Sequence, residues 1–549
     1  MQKIFDAESS IKIGKPAKNF KNPIEKNTEM HYNGNKQFSD RGIFMKHKKL
    51  LCISLTGALA LSAFLVAACT PAVEPEEPPV DGDAWHNQSL WLNADALLPT
   101  EKIELPTGAA ENNSEIIAVH DPSIFQDPKD GMYYAFGSHF AVASSENLIK
   151  WTQECKDGEF GQVYGEEKME GTYSALPKSI QKTIELVEPV QTGDAIKTTW
   201  APDVEYINGK YYLYFSLTHS FGSDKSAIAR LESDKVLGPY GNETIIVESV
   251  TTTEASHPNC IDQELFYDKD GKLWMVYGSH FAGIYIKELD KNGLPKEEGW
   301  GKLLWKGGSK VVEGPFVYYN ASTDYYYLMT TYGDLNSDYN MHVARSKNPD
   351  GPYVDITGDN MAETEGNGNL HGNKVAGNYK FGSSNYVALG HNSVIKDKDG
   401  RYFVIYHVRH QIKGMHNLMV NQLYFNEEGW PVMAPTAYVG EKAGLATQAE
   451  IAGDYDIVLH AESTTSTIVD AETYTLSADG KVKKGTAEVG SWTVKQDYYV
   501  EITINEVVYK GVVAPGWNNY ASLSKQKGVY TLTAVSNAGR SLWAIPALG

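Results

Sequence analysis

Cysteine is scarce in this sequence, with 4 residues among 549. Cys52 and Cys69 lie in an apolar N-terminal segment, and the spacing of Cys155 and Cys260 matches no zinc-binding pattern. The scarcity therefore excludes a cysteine-based zinc site. We expect Cys155 and Cys260 either to form a disulfide or to remain as two buried thiols.

Basic residues are also few, since 49 Lys and Arg face 69 Asp and Glu and leave a formal net charge of −20. A nucleic-acid-binding protein needs a concentrated Lys/Arg surface for the phosphates. No nucleic-acid partner is therefore expected. Apolar residues make up 42% and charged residues 21%, which are ordinary globular values. This composition excludes wholesale disorder and a membrane protein with several spans.

One long apolar run is present, from Leu50 to Ala68, and it follows a basic start at residues 46–49. This order is typical of a secretory signal, so residues 45–68 are predicted to be a signal peptide. The run ends in Val66-Ala67-Ala68-Cys69, which resembles the bacterial lipobox, in which the cysteine is lipidated and becomes the first mature residue. Residues 69–110 begin as an acidic, proline-rich stretch and are expected to be a solvated tether and lead-in.

These features predict an exported protein that is held at the bacterial cell membrane or surface by a lipid on Cys69. No other membrane contact is expected. An uncleaved single-span anchor and ordinary secretion are the alternatives. Residues 1–44 are polar and lie upstream of the signal. Because signal peptides are normally terminal, we expect translation to begin at Met45.

Aromatic residues are abundant, with 34 Tyr, 17 Phe and 11 Trp. Many of them belong to a unit that occurs five times after residue 110: a short polar turn, an apolar strand, a hairpin and an aromatic strand. Four of the hairpins contain Asp-Gly or Asn-Gly, the strongest short hairpin signal. The polar turns are His120-Asp121-Pro122, Ala201-Pro202-Asp203, Cys260-Ile261-Asp262, Glu313-Gly314-Pro315 and Gly390-His391-Asn392.

The intervals between the five units leave room for four short strands each, which is the size of a propeller blade. The sequence therefore predicts an all-β protein with a five-bladed β-propeller over residues 111–440. A plain β-sandwich is the alternative, but it does not explain why the polar turns fall at one place in the repeat. Residues 447–549 contain further alternating strands and predict a small antiparallel β-barrel or sandwich.

In a propeller the innermost strands start around one axis, so the polar turns should bring Asp121, Asp203, Asp262 and Glu313 together. Two carboxylates flanking a bond are what glycoside hydrolysis requires, and a third can raise the pKa of the acid. For any one of these residues alone, a turn-capping role would be the simpler interpretation. The coincidence in several blades favours catalysis.

Five motifs are jointly specific. They resemble those of glycoside hydrolase family 43, and in particular its endo-α-1,5-L-arabinanases, over roughly residues 115–549. The motifs are His120-Asp121-Pro122-Ser123, Trp200-Ala201-Pro202-Asp203, Ile261-Asp262, Glu313-Gly314-Pro315-Phe316 and Gly390-His391-Asn392-Ser393.

The resemblance implies a role for each of three carboxylates. Asp121 would be the general base that activates water, and Glu313 the general acid on the leaving sugar. Asp262 would orient Glu313 and raise its pKa. The family inverts the anomeric centre, which implies that the base and the acid are about 6.5–9.5 Å apart. Asp203 is expected to serve mainly the blade architecture, with a sugar hydroxyl contact as the alternative.

The resemblance also implies a calcium ion in the propeller channel, with His391 as the protein ligand beside several waters. Calcium normally prefers oxygen ligands, so one imidazole is a weak site. Two residues depart from the family pattern. Gln263 stands where many relatives carry Pro, and Asn421 stands where an Arg is common, which removes one positive contact expected near the axis.

Aromatic and imidazole side chains beside the catalytic turns could stack on pentose rings or pack in the core. The candidates for substrate binding are Trp200, Phe140, His139 and Phe281. In the C-terminal domain, Trp492, Trp517 and Trp543 could bind sugar, but packing against the propeller is the favoured interpretation.

We therefore expect a monomeric enzyme that cleaves internal α-1,5-linkages of arabinan, a side-chain polysaccharide of pectin. An exo-acting α-L-arabinofuranosidase or β-xylosidase of the same family is the near alternative. A non-catalytic glycan-binding lipoprotein is the alternative from another class. It has no need for an acid, a base and a pKa-tuning carboxylate together.

Overall fold

The computed structural model describes residues 90–108, 117–156, 199–218, 222–306, 312–363, 372–410, 416–461 and 465–547. The predictions for residues 1–44, for the signal over 45–68 and for Cys69 lie outside these described residues. Within them, no helix is both long enough and apolar enough to cross a membrane.

The first four blades of the predicted propeller are four-stranded antiparallel sheets in which the strands follow chain order. Blade 1 contains β1 (Ser123–Gln126), β2 (Tyr133–Gly137), β3 (Ala141–Ser145) and β4 (Trp151–Cys155). Blade 2 contains β5 (Thr199–Ile207), β6 (Lys210–Thr218), β7 (Ser226–Ser233) and β8 (Gly241–Glu248). Blade 3 contains β9 (Glu264–Tyr267), β10 (Leu273–Tyr277), β11 (Gly283–Leu289) and β12 (Lys302–Lys306). Blade 4 contains β13 (Val312–Asn320), β14 (Tyr325–Tyr332), β15 (Asn340–Ser346) and β16 (Asn373–Ala376).

Blade 5 is extended at its inner edge by a short strand. Its strands are β17 (Tyr379–Phe381), β18 (Ser384–Lys396), β19 (Tyr402–His410), β20 (His416–Phe425) and β21 (Pro431–Met433). The long strand β18 bends at two register shifts, so that its first part pairs with β17 and both parts pair with β19. The prediction of an all-β, five-bladed propeller is confirmed.

A hydrophobic cluster lies between each pair of neighbouring blades. Tyrosine and phenylalanine dominate several of these clusters; between blades 4 and 5, for example, Tyr327 and Tyr402 each pack about 5 Å from the ring of Phe425. Flat aromatic rings fill the wedge between two twisted sheets with large buried area. This packing accounts for much of the aromatic excess in the sequence.

The two candidate thiols fall into separate clusters. Cys155 is buried between blades 1 and 2, and Cys260 between blades 2 and 3. Both are free. The disulfide alternative is therefore wrong, because each sulfur belongs to a different interface between blades.

The ring closes between blades 1 and 5 through hydrogen bonds. Ser393 Oγ donates to the carbonyl of Pro122 at 2.9 Å. The backbone N–H of Leu418 donates to the carbonyl of Ile117, also at 2.9 Å. Blades 1 and 5 are distant in sequence, so these contacts between them close the ring of blades.

The C-terminal domain is a closed eight-stranded barrel, which decides between the predicted barrel and sandwich. It is preceded by a single helical turn, Gln448–Ile451, which a capping box of Thr447 and Glu450 begins. The barrel strands are β22 (Gly453–Leu459), β24 (Glu472–Leu476), β25 (Lys481–Lys484), β26 (Ala487–Lys495), β27 (Tyr499–Ile504), β28 (Val507–Trp517), β29 (Gly528–Ser536) and β30 (Ser541–Pro546). Between β22 and β24, the short strand β23 (Val469–Asp470) pairs in parallel with β17 of blade 5.

The barrel and blade 5 share one hydrophobic core. Trp543 of the barrel is fully buried and its ring lies 5.0 Å from that of Tyr379. The hydroxyl of Tyr520 donates to the carbonyl of Pro435 at 2.6 Å. Trp492 and Trp517 are also at least nine-tenths buried. None of the three tryptophans presents an open face to a sugar; Trp543 packs against the propeller as expected, whereas Trp492 lies in the core of the barrel itself.

Truncation of Trp543 tests this shared core. We expect Trp543→Ala to lower the free energy of unfolding by about 3–5 kcal/mol, because a large buried ring is lost and a cavity remains. Urea unfolding followed by tryptophan fluorescence and by circular dichroism measures the change. The control Leu523→Ala removes a side chain that is 88% exposed and should change stability by less than about 0.5 kcal/mol. Equal effects of the two variants would contradict the shared core.

Candidate active site

A cavity of about 390 Å³ opens on the propeller axis, and residues from all five blades line it. Asp121, Asp262 and Glu313 all border it, as does His391. These residues are far apart in sequence, and the repeat brings them to one place. Asp203 does not line this cavity.

A residue with positive φ occurs near the start of the innermost strand in blades 1 to 4 and at the bend of β18 in blade 5. These residues are Asp121, Ala201, Asp262, Gly314 and His391, with φ between 29° and 58°. Such a backbone is unfavourable for residues other than glycine and is often found at functional sites. The strand ladders of blades 2, 4 and 5 shift register there. The bend turns side chains toward the axis.

The bend also corrects the sequence alignment of the five units. The repeat predicts that Asp203 lies on the axis beside Asp121. In the structure, the residue of blade 2 at the position of Asp121 is Ala201, two residues before Asp203. Glu313 likewise precedes its equivalent, Gly314. The reason is that the register shift adds residues to the strand at the turn, which cannot be read from residue types.

Asp203 lies in a smaller, separate cavity with Glu205 and Glu264. Its carboxylate accepts hydrogen bonds from Ser123 Oγ at 2.7 Å and from the N–H of Leu265 at 2.9 Å. Burial raises the pKa of Asp203 to about 6, against these hydrogen bonds. Asp203 thus links blades 1, 2 and 3, which is the architectural role expected of it.

The left-handed residues are held by an acceptor from the preceding blade. The N–H of Ala201 donates to Ser138 Oγ at 2.8 Å, and that of Asp262 donates to Ser216 Oγ at 3.0 Å. The N–H of His391 donates to Thr331 Oγ1 at 2.8 Å, and that of Asp121 donates to His407 Nδ1 at 3.1 Å. At the fifth junction, the N–H of Gly314 instead donates to the carboxylate of Asp262 at 3.2 Å.

Asp121 is surrounded by donors and imidazoles. Ser138 Oγ donates to one carboxylate oxygen at 2.6 Å, and the other oxygen lies 3.1 Å from His391 Nδ1 and 3.2 Å from His120 Nε2. Burial raises the pKa of Asp121, but the charges of these histidines outweigh burial and hold the pKa well below its usual range. Asp121 is therefore an ionised carboxylate that can accept a proton from water.

Asp262 and Glu313 have different surroundings from Asp121. Burial, with the nearby carboxylates of Glu313 and Asp121, raises the pKa of Asp262 although His391 opposes the shift. Its hydrogen bond to the N–H of Gly314 fixes the backbone next to Glu313. One oxygen of Glu313 accepts a hydrogen bond from Ser279 Oγ at 2.9 Å and lies 2.8 Å from His280 Nε2. Acid–base catalysis needs carboxylates with different surroundings, so that one can be ionised while another carries a proton.

His391, the expected calcium ligand, has its Nδ1 3.1 Å from the carboxylate of Asp121. Burial lowers its pKa, but the charge and hydrogen bond of Asp121, with Asp262 and Glu313, raise it to about 9. The ring is then a cation that compensates the carboxylates. Beside Asp121, the nitrogens of His120, His407 and His416 lie within 4.8 Å of one another. Nitrogen donors suit transition metals better than calcium, so calcium would need ligands other than these imidazoles.

The four predicted stacking residues are not equivalent. Trp200 and Phe281 line the cavity, and Phe281 is 48% exposed. His139 packs edge-on against Trp200, with the ring centroids 4.7 Å apart. The prediction for Phe140 is wrong. Its side chain is 3% exposed and packs 5.4 Å from Phe215, because the turn after β2 points it between blades 1 and 2.

The two departures from the family pattern have structural partners. The Gln263 amide donates to the carbonyl of Ala201 at 2.7 Å and its oxygen accepts from Ser216 Oγ at 2.9 Å. Asn421 is buried and hydrogen bonded to Tyr406 and to backbone carbonyls. Neither residue borders the cavity on the axis.

Ser138, Ser279 and His280 contact the carboxylates of Asp121 and Glu313, although the sequence alone does not single these three residues out. The signal was present. The string Gly-Ser-His-Phe occurs at residues 137–140 and again at 278–281, both times directly after an aromatic strand. Its serines reach Asp121 in blade 1 and Glu313 in blade 4.

Comparison with known families and proteins gives a consistent result. The model of glycosyl hydrolases family 43 matches residues 179–431, and that of a C-terminal lipocalin-like domain matches residues 435–544. An extracellular endo-alpha-(1->5)-L-arabinanase of Thermotoga petrophila is 37% identical over 462 residues, which cover 78% of this chain and 93% of that protein. The extracellular endo-alpha-(1->5)-L-arabinanase 2 of Bacillus subtilis is 34% identical, covering 78% and 92%.

Solved structures agree with these relatives. The crystal structure of endo-1,5-alpha-L-arabinanase from Thermotoga petrophila superposes with a TM-score of 0.71 at 36% identity, covering 79% of this chain and 99% of that chain. The glycoside hydrolase family 43 YxiA protein of Bacillus licheniformis gives a TM-score of 0.70 at 34% identity, covering 82% and 99%. The likeness includes both the propeller and the barrel.

The ion pair of His391 and Asp121 predicts a specific pH dependence of stability. The folded pKa of His391, about 9, lies above its ordinary value of 6.5. The pair's contribution is therefore complete below pH 6.5 and is lost as the pH rises through 9. Over this window we expect the free energy of unfolding to fall by up to about 3 kcal/mol more in the wild type than in His391→Gln. If urea titrations show the same pH dependence of unfolding free energy for the wild type and for His391→Gln, the stabilising ion pair is contradicted.

Proposed function

The chain belongs to glycoside hydrolase family 43, and we propose that it hydrolyses internal α-1,5-L-arabinofuranosidic linkages of arabinan by a single, inverting displacement. One observation carries the proposal. Asp121, Asp262 and Glu313 converge on one cavity, and Asp121 is kept ionised by the histidines around it. Because a glycan-binding module has no use for such an arrangement, catalysis is the better account.

Each carboxylate has a distinct task in the proposed reaction. Ionised Asp121 takes a proton from a water molecule, and the water oxygen attacks the anomeric carbon. Glu313 gives its proton to the glycosidic oxygen as the bond to the anomeric carbon breaks. Asp262 holds the backbone beside Glu313 and supplies like-charge repulsion within the site. The cation of His391 limits the negative charge that the cavity accumulates.

The lining of the cavity suits a neutral furanose polymer. Trp200 and Phe281 present aromatic surface to the space in front of the carboxylates. A sugar ring packs well on such faces, and arabinan carries no charge that the net −20 of the chain would repel. The relatives named above, whose names state endo-acting arabinanases, support the same substrate.

Replacing the carboxyl group of Glu313 by an amide tests its assignment as the general acid. We expect Glu313→Gln to slow hydrolysis of linear arabinan by about 10²–10⁴-fold, because proton donation to the leaving oxygen is lost. Reducing-sugar release measures the rate. The control Glu288→Gln changes a surface carboxylate that pairs with Lys296 and should keep the wild-type rate. A Glu313→Gln rate close to wild type would overturn the assignment.

The products test the mode of action and the stereochemistry. Endo cleavage should give a ladder of oligomers before arabinose accumulates, whereas arabinose from the first time points would indicate the exo-acting alternative. In ¹H NMR the first new reducing ends should be β-anomers, because inversion of an α-linkage produces them. Cleavage of xylo-oligosaccharides with no cleavage of arabinan would show that the substrate is wrong.

We further propose that the enzyme is exported and anchored by a lipid on Cys69. The support is the basic and apolar segment over residues 45–68 with its lipobox-like end, together with relatives that are named extracellular. In a bacterial host, wild-type protein should carry radiolabelled palmitate and sediment with membranes. Cys69→Ala should lose the label and appear in soluble fractions. Equal labelling of the two proteins would contradict lipidation at Cys69.

A further inference from the structure

The Gly-Ser-His-Phe string places its histidine and phenylalanine in the same backbone region in blade 1 and in blade 3. Both copies follow the second strand of their blade, and the His and Phe have positive φ in each: His139 and Phe140, His280 and Phe281. Four non-glycine residues in this backbone region are costly unless the surroundings enforce it. The repeated geometry shows that the turn presents the serine to the axis and the histidine beside it.

The two copies differ in what the serine binds. In blade 1, Ser138 Oγ accepts the N–H of Ala201 from the next blade and donates to Asp121 of its own blade. In blade 3, Ser279 Oγ donates to Glu313 of the next blade. The N–H of Gly314 is bound by Asp262 instead. Blade 3 therefore departs from the common junction at the place where the general acid lies.

The two histidines differ even more. His139 packs against the ring of Trp200. His280 Nε2 lies 2.8 Å from the same Glu313 oxygen that Ser279 binds. The backbone of His280 is fixed as well, because its N–H donates to the carbonyl of Val312 at 2.8 Å and its carbonyl accepts from Gly283 at 2.8 Å. His280 is thus held against the residue before Glu313 and against its carboxylate.

We propose that His280 is a positioning residue for the general acid: with Ser279 it holds one oxygen of Glu313, so that the other oxygen carries the proton toward the glycosidic bond. This inference rests on the proposed function. The Glu313 oxygen Oε2 has two donors, which suits the carbonyl-like oxygen of a protonated carboxyl. Oε1 is then the atom that gives up the proton.

The charge of His280 adds a second effect. Burial lowers its pKa, but the hydrogen bond and charge of Glu313, with Asp262 and Asp334, raise it above the ordinary value. Its side chain is 42% exposed, so it can exchange protons with solvent, whereas that of Glu313 is only 11% exposed. Across the cavity Glu313 also faces the charges of His391 and Asp121. The ring nitrogen Nε2 of His280 lies 2.8 Å from the carboxylate of Glu313.

Two substitutions separate position from charge. His280→Gln keeps an N–H donor and removes the charge, whereas His280→Leu removes both. The general acid works only while protonated, so activity is lost as the pH rises through its pKa. The alkaline limb is the fall of kcat/KM at high pH. Because His280→Gln lacks the neighbouring cation, the midpoint of this fall should move to a pH about one unit higher than in the wild type. In His280→Leu, kcat on arabinan should fall about tenfold or more, with KM nearly unchanged.

The control is His139→Gln, the same position of the string in blade 1. Because His139 lies in blade 1 against the ring of Trp200, the alkaline limb of the pH profile of this variant should stay at the wild-type pH even if KM changes. An aryl arabino-oligoside with a nitrophenol leaving group should restore most of the His280→Leu rate, because that leaving group needs little protonation. If both His280 variants show the wild-type alkaline limb of kcat/KM and the wild-type kcat, the proposal is wrong. If the wild type cleaves no arabinan, the proposed function fails instead.

The pair is also testable without substrate. In ¹³C-histidine NMR of the intact protein, His280 should titrate above pH 6.5 in the wild type. In Glu313→Gln it should titrate at least one pH unit lower, because the carboxylate that stabilises its charge is gone. An unchanged His280 titration would overturn the proposal whatever the substrate of the enzyme is.

Discussion

The structure of the site depends on one hydrogen bond that recurs between neighbouring blades. Near the start of the innermost strand in blades 1 to 4, and at the bend of β18 in blade 5, the backbone turns through a left-handed residue, and this exposes an N–H to the buried axis. A buried N–H must find an acceptor. Ser138, Ser216, Thr331 and His407 supply it from the end of the second strand of the preceding blade. Each blade therefore sets the position of the next blade's active-site residue.

This constraint explains why the carboxylates proposed for catalysis are held in fixed positions although they come from different blades. Asp121 is bound at its N–H by blade 5 and at its carboxylate by blade 1. Asp262 is bound at its N–H by blade 2, and it binds the backbone of blade 4 through its side chain. Side chains fixed from two sides lose little entropy when a substrate arrives, which is what pre-organised catalysis needs. The aromatic clusters between the blades make this frame rigid.

The electrostatics of the cavity follow from the same arrangement. Three carboxylates around one axis would repel each other strongly in a buried site. The imidazolium of His391 lies among them, and its effect is unequal: Asp121 is held ionised, while the pKa of Asp262 stays raised. His407 accepts the N–H of Asp121 through Nδ1, so it acts there as a neutral imidazole, in agreement with its pKa well below the usual range through burial and the neighbouring His416 and His120. The histidines thus divide into a cation and a backbone acceptor.

The sequence by itself determined the strands, the hairpins, the fivefold repeat and the meeting of Asp121, Asp262 and Glu313, because these follow from local sterics and from the symmetry of a repeat. Tertiary structure alone decided which side chains reach the cavity. Phe140 turns into the core while Phe281, in the same string, lines the cavity. Ala201 rather than Asp203 occupies the equivalent turn, and His391 pairs with Asp121 of a different blade. Each outcome depends on a register shift or on a partner from another blade, and neither is encoded in the spacing of residue types along the chain.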